Sequence, residues 1–403
     1  MTRRILSILL LPALLSGIAG CVKSQGGNPY DGTLCAVKVQ LQYPEGYETF
    51  AREGVNVSFE EVNNGYAYCA STASDGSAHL DLPCGLYTVS VSDRSDNSIF
   101  NGTLSRLQVS TDVQTQLSLK YSKAGTLVIK EIYCGGCKKL PEVGNYQVDK
   151  YIILHNNDSR TTYLDSLCFG TLCPYNSEAN NPFGGIRDFA PVIQALWQFG
   201  GTGTSFPLAP GEDAVLCIYG AIDHTVQYPL SVNLNRPGYF VTYNNTYFTN
   251  TSYHPAPGDN IAADHILDVV VKVGIANAYT LSNSSPTVLI FRPQGTSMRE
   301  YVKKADSIIQ VPGSTNDRVV VVPWEWVLDG VEVFNGATSA NSKRIRDDVD
   351  AGYVVQSNTY LGHSLMRLVD EEASAENGYT VLCDTNNSSV DFMERETASL
   401  HDE

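Results

Sequence analysis

The chain has 403 residues, with 27 Lys plus Arg against 43 Asp plus Glu and a net charge of −16. A protein this anionic is repelled by phosphate backbones, which excludes nucleic acid as its natural partner. Only 17% of residues are charged while Tyr reaches 23, the profile of an exported, β-rich protein with a neutral polar surface.

Arg3 and Arg4 precede the apolar run ILSILLLPALL and the small residues SGIAG. This is the build of a secretory signal over residues 1–20, and the run is shorter than the roughly 20 residues a spanning helix needs. Ile18-Ala19-Gly20-Cys21 resembles the lipobox of bacterial lipoproteins. That resemblance implies a mature chain beginning at Cys21, with membrane lipid (diacylglycerol and palmitate) as its anchor. Loss of Arg3 and Arg4 then takes the net charge to −18. Residue 22 is Val rather than the aspartate that retains lipoproteins at the inner membrane, so the outer membrane is expected, with the periplasmic face and the cell surface both open. Residues 21–32 form a flexible tether rich in Gly, Ser and Asn.

Residues 33–122 divide into short alternating stretches such as CAVKVQLQY, VNVSFEEV and LYTVSVSD, spaced as in a small β-sandwich. The segment TASDGSAHLDLPCGLYTVSVS places a D-G turn before one strand and P-C-G-L-Y at the next corner, which resembles transthyretin-like and carboxypeptidase-regulatory-like domains. Residues 123–403 continue the β pattern with longer connections. TLVIKEIYCGG, DKYIILHNND, VLDGVEVFN and GHSLMRL resemble the opening, the aspartate strand and the Ser-x-x-Arg closing motif of lamin-tail-like sandwiches. As a whole, the pieces IKEIY, ALWQFGGTG, AIDH, VVPWEWVLDGVE, SKRIRDDVDAGYV and CDTNNSSVDF resemble an uncharacterised family of Bacteroidetes lipoproteins, a domain of unknown function. The fold class expected is therefore all-β, two β-sandwich domains in series. One helix is expected, over DFAPVIQALWQFG, with Asp188 as its cap and Trp197 and Phe199 plugging one end of the sandwich.

With Cys21 lipidated, nine cysteines remain, so at least one thiol stays unpaired. Cys134 and Cys137 form a Cys-x-x-Cys after a strand, without the following helix that would lower a thiol pKa. With Cys168 and Cys173 they are candidates for local disulfides or free thiols; a metal site and a thiol-redox role are the alternatives. The seven histidines lack metal-ligand spacing, and no hydrolase, metalloprotease, P-loop or EF-hand motif occurs. GGTGTS (200–205) reads as a loop, and DTNNSSVDF (384–392) reads as an Asx-closed turn in preference to a calcium loop. No cofactor, no metal and no catalysis are expected. The stretch YFVTYNNTYFTNTSYHP offers Tyr239, Tyr243, Asn244, Asn245, Tyr247 and Tyr253 as the candidate face for a glycan, a small ligand or a protein. The expected function is that of a non-catalytic binding accessory to a TonB-dependent uptake system at the outer membrane. Its alternatives are a glycan-binding or adhesive surface protein, and an envelope thiol-redox or metal protein using Cys134 and Cys137.

Overall fold

A computed structural model describes residue 32 and residues 34–47, 53–95, 98–123, 125–336 and 340–401. The signal, Cys21 and the tether up to residue 31 lie outside the described residues. Among those described, no helix is long and apolar enough to cross a membrane.

Two β-sandwich domains stand in series. In the first, a three-stranded sheet ordered Ser77–Pro83, Leu34–Gln42, Val113–Ser118 faces a five-stranded sheet built around Asn56–Glu61, Gly85–Ser95 and Ser98–Val109. Alternation makes the core: Val37, Val39 and Leu41 point inward from one strand and meet Val57, Phe59, Val89 and Val91 from the other sheet. The D-G turn forms as expected, with Asp75 Oδ1 accepting from Ser77 N at 2.9 Å and Gly76 at φ 73°. At the P-C-G-L-Y corner, the buried Tyr87 donates its hydroxyl to Pro83 O at 2.8 Å.

The second domain packs a six-stranded sheet against a larger eight-stranded one. The smaller runs Phe240–Val241, Asp213–Cys217, Tyr151–Asn156, Leu127–Tyr133, Ser364–Arg367, Phe392–Arg395. Ile129, Ile152, Leu154, Phe169, Trp197, Leu216, Ile290 and Val331 fill the space between them.

The expected helix is instead the strand Phe189–Gln198, paired with Cys168–Leu172, Arg318–Pro323 and Asp268–Lys272. Pro191 lacks a helical N–H, and β-branched Val192 and Ile193 suit a pleated surface, so sheet partners on both sides override the apparent cap at Asp188. Trp197 and Phe199 do lie buried, as part of the central core rather than as an end plug. Within this strand Gln194 adopts φ 62° at an irregularity in the ladder. A left-handed conformation there is unfavourable by about 1 kcal/mol or more. It is offset by side-chain bonds: Gln194 Nε2 donates to Thr280 O at 2.7 Å, and Gln194 Oε1 accepts from Thr280 N at 2.9 Å.

The segment 384–391 does close as a turn. Asn387 caps the short helix Ser388–Asp391, and the turn docks the first domain through Asn101 Nδ2, which donates to Asn386 O at 3.0 Å. Its carboxylates face Arg367, whose Nη1 donates to Asp384 Oδ1 at 3.2 Å and lies 3.5 Å from Asp391 Oδ2, while Nη2 donates to Asp329 Oδ2 at 2.6 Å. The aspartate strand and the Ser-x-x-Arg motif therefore meet in one buried cluster.

Candidate functional site

Five loops at one end of the second domain converge on a cleft of about 390 Å³. Tyr175 and Asn176 follow the strand ending at Leu172, Tyr219 follows the strand ending at Cys217, and Gln147 follows the hairpin strand Asn145–Tyr146. Thr280, Ser282, Asn283 and Ser284 lead into the strand Thr287–Phe291, and Tyr253 comes from the tyrosine-rich loop. An adjoining lobe of about 490 Å³ shares Tyr175 and Thr280 and is mainly apolar, with Pro182, Ile193, Val273 and Ile275 on its wall and Asp317 and Arg318 at one side. Gln194 also lines this lobe, so the strained strand irregularity holds the Thr280 loop that separates the two lobes.

Behind the polar lobe, Lys150 is fully buried, and burial draws its pKa down to about 8, so it remains an ammonium at neutral pH. It donates to Leu281 O at 2.6 Å and to Asn283 Oδ1, and its Nζ lies 5.3 Å from the Tyr219 ring centroid. Because ammonium only donates, the Asn283 amide is fixed with its oxygen inward and its nitrogen toward Gln147 Oε1 and the Tyr360 hydroxyl. Gln147 Nε2 then donates to the Tyr253 hydroxyl at 3.3 Å. Burial pushes the Tyr175 phenol up to about 12, which keeps it neutral.

Of the six tyrosine-loop candidates, only Tyr253 reaches the cleft. Tyr239 and Tyr243 flank the strand Phe240–Val241 and pack against a core cluster. Asn244 is spent on its own turn, accepting from Thr246 N and Tyr247 N at 3.0 Å each. Asn245 and Tyr247 are exposed away from it. The loop is tied down by His254, whose Nε2 accepts from Asn244 N at 3.0 Å and whose ring stacks on Tyr243 at 5.2 Å. Burial lowers the His254 pKa to about 4, below its unfolded value near 6.5. Stability from the neutral ring is therefore complete above about pH 6.5 and lost as pH falls toward 4, where the unfolded chain takes the proton. The full loss amounts to about 3 kcal/mol. Protection factors across 244–254, taken relative to the intrinsic exchange rate at each pH, should fall between pH 6.5 and 4, and a His254→Phe variant should show no such acid window.

The cysteine candidates stay apart. Cys134, Cys137, Cys168 and Cys173 are all thiols. Cys134 Sγ donates to Gln356 Oε1 at 3.4 Å, whereas Cys137 Sγ donates to Asp149 Oδ2 at 3.6 Å, so the two point to different partners. Burial pushes both up to about 12, with Asp149 adding to the effect at Cys137, opposite to what a reactive thiolate needs. Cys168 donates to Ser166 O at 3.7 Å inside the core, and Cys173 lies in a separate cluster. Among the described residues no group of three His, Cys, Asp or Glu is arranged to hold a metal ion. The Gly-rich loop 200–205 is already filled by a carboxylate: Asp165 accepts from Gly203 N, Ser205 N and Phe206 N at 2.8 to 2.9 Å. Burial opposes its ionisation, but these bonds outweigh that and hold the carboxyl below its ordinary range.

Every cleft residue other than Tyr253 was missed in the sequence, Gln147, Tyr175, Asn176, Tyr219 and Asn283 among them. YNSEANNPF and LSNSSP carry the same Tyr, Asn and Ser mixture as the tyrosine-rich loop, and that composition is the signal that could have marked them.

Fold and cleft together define a two-domain β-sandwich protein with a loop-built recess at one end. Residues 209–399 match the family described as protein of unknown function (DUF4876), so the expected likeness to an uncharacterised Bacteroidetes family holds over that region. A crystal structure of a DUF4876 family protein from Bacteroides thetaiotaomicron shares the fold, with 24% identity and a TM-score of 0.57 over 89% of this chain and 94% of that one. A streptococcal ancillary pilin aligns at 13% identity over 45% of this chain and 52% of its own, with a TM-score of 0.18, too low to carry an argument. The same holds for a candidate adhesin from Bacteroides ovatus, at 9% identity over 66% of this chain and 82% of its own, with a TM-score of 0.21. No curated protein matches.

Proposed function

We propose that the protein is a non-catalytic binding protein of the outer membrane, anchored through lipid on Cys21, that captures a ligand in the two-lobed cleft as an accessory to a TonB-dependent uptake system. The observation that carries this reading is the cleft itself: five loops held on rigid sheets, with aromatic faces and amides lining a polar lobe that holds no acidic or basic side chain. Buried thiols at Cys134 and Cys137 favour a structural role for them over redox chemistry. A flexible tether raises the effective concentration of the cleft near a membrane receptor toward the millimolar range, which lets a weak contact suffice.

Fractionation tests the anchor, and cross-linking tests the partner. Wild type should sediment with outer membranes and Cys21→Ala should be released; a variant that still sediments and incorporates labelled palmitate contradicts the anchor. Mild cross-linking of wild-type membranes should recover a TonB-dependent receptor, and recovery of none contradicts the accessory role.

A further inference from the structure

We propose that the polar lobe binds a neutral saccharide, with the Tyr175 ring as its stacking face and Tyr253, Asn176 and Ser284 as donors to its oxygens. This rests on the reading of the cleft as a ligand site and adds the chemical class.

Every side chain lining the polar lobe is a tyrosine, an amide or a small hydroxyl, and none is acidic or basic. An ionic ligand would meet no counter-charge there and would lose its hydration without replacement. The cation behind the lobe, Lys150, is sealed from solvent and already engaged by Leu281 O and Asn283 Oδ1. Its effect is directional. Lys150 sets the Asn283 amide, Asn283 sets Gln147, and Gln147 donates to the Tyr253 oxygen, so the Tyr253 hydrogen is left to point outward. Asn176 is set in the same sense: its Oδ1 accepts from the Ser282 hydroxyl at 2.6 Å, which leaves the amide nitrogen as a donor for the cleft. The recess thus offers fixed donors beside a Tyr175 ring that is 37% exposed. A pyranose presents the complement, an apolar C–H face for the ring and acceptor oxygens around its edge. The volume of about 390 Å³ suits a small ligand. The neighbouring apolar lobe, where Ile275 is 74% exposed, is chemically distinct and can be probed separately.

The test is calorimetric titration of the full mature chain carrying Cys21→Ala with maltohexaose, xylohexaose, mannohexaose, chitohexaose and hexagalacturonate. At least one neutral hexaose should bind saturably and more tightly than hexagalacturonate. Tyr175→Ala should weaken that binding tenfold or more, as expected for loss of a central aromatic anchor. Tyr253→Phe, which keeps the ring and removes the donor, should weaken it about fivefold. Tyr247→Ala, outside the cleft, should leave it unchanged. Preference for hexagalacturonate, or full binding by Tyr175→Ala, overturns the proposal. A silent panel is resolved with 1-anilinonaphthalene-8-sulfonate. If this aromatic sulfonate binds wild type and is lost in Ile275→Asp, the cleft remains a ligand site and the saccharide class is wrong; if it does not bind, or binds Ile275→Asp equally well, both readings fall.

Discussion

Replacing Arg367 by Met should destabilise the second domain by about 3–5 kcal/mol, enough to threaten folding at 37 °C. The guanidinium donates through Nε to Ile129 O at 2.8 Å and through Nη1 to Cys383 O at 3.1 Å, and it is the shared cationic partner of Asp329, Asp384 and Asp391, all nearly devoid of exposure. Removing it leaves three carboxylates in a dry site, and the penalty is that of uncompensated charge rather than of one lost bond. Because the same cluster holds the 384–387 turn against Asn101, loss should also loosen the junction between the domains. Denaturant unfolding reads the effect, and a variant within 1 kcal/mol of wild type would contradict it.

Where Arg367→Met fails to accumulate, Asp391→Asn reports on the same cluster. Burial raises the Asp391 carboxyl to about 7 despite the opposing charge of Arg367, and burial likewise raises Asp329 to about 6. A carboxyl raised in the folded state contributes stability that is complete below its unfolded pKa near 3.9 and lost as pH rises through the folded value. Between pH 5 and 8 the wild-type midpoint should therefore fall relative to that of Asp391→Asn. Parallel pH profiles for the two proteins would contradict this assignment.

Oxidation of the first domain is the second large effect. Cys35 Sγ and Cys84 Sγ lie 3.5 Å apart, one buried and one exposed, although neither belongs to the Cys-x-x-Cys that draws the eye in the sequence. An envelope thiol oxidase supplying a disulfide would accept two electrons and two protons from the pair as the Cys35–Cys84 bond forms, and its own disulfide would become a dithiol. Closing a 49-residue separation should stabilise the domain by about 4 kcal/mol in the chain-entropy account. For a domain of this size that corresponds to a rise of roughly 15–30 °C in Tm. Treatment with oxidised glutathione should remove two hydrogens from the intact mass and raise the melting temperature, both abolished in Cys84→Ser. Peptide mapping that finds the bond elsewhere, or oxidation without a shift in Tm, would contradict this.

Strand alternation in VNVSFEEV reads directly as sheet because side-chain period and burial coincide, whereas the strand in TLVIKEIY is buried on both faces and shows itself only as a short, largely apolar, β-branched run. The segment 189–198 was not legible as sheet, since Asp188 and a following glycine imitate helix ends while the deciding contacts come from strands remote in sequence. The same remoteness hid the cleft. Tyr253 was visible inside a dense Tyr-Asn run, but Gln147, Tyr175 and Asn283 become neighbours only after five loops are gathered at one end. Tyr239 and Tyr243 misled for the opposite reason: a tyrosine beside a short buried strand packs against the core as readily as it faces solvent. Nor does sequence spacing show that Lys150 is buried behind a loop more than a hundred residues away.

Native mass spectrometry of the mature protein, after incubation with a pool of oligosaccharides cut from extracellular polysaccharide, tests binding without turnover most directly. The account predicts a one-to-one complex, saccharides recovered at their original masses, and loss of the complex in Tyr175→Ala. Shortened saccharides accumulating in the pool, or a protein that stays empty at every concentration, would contradict it.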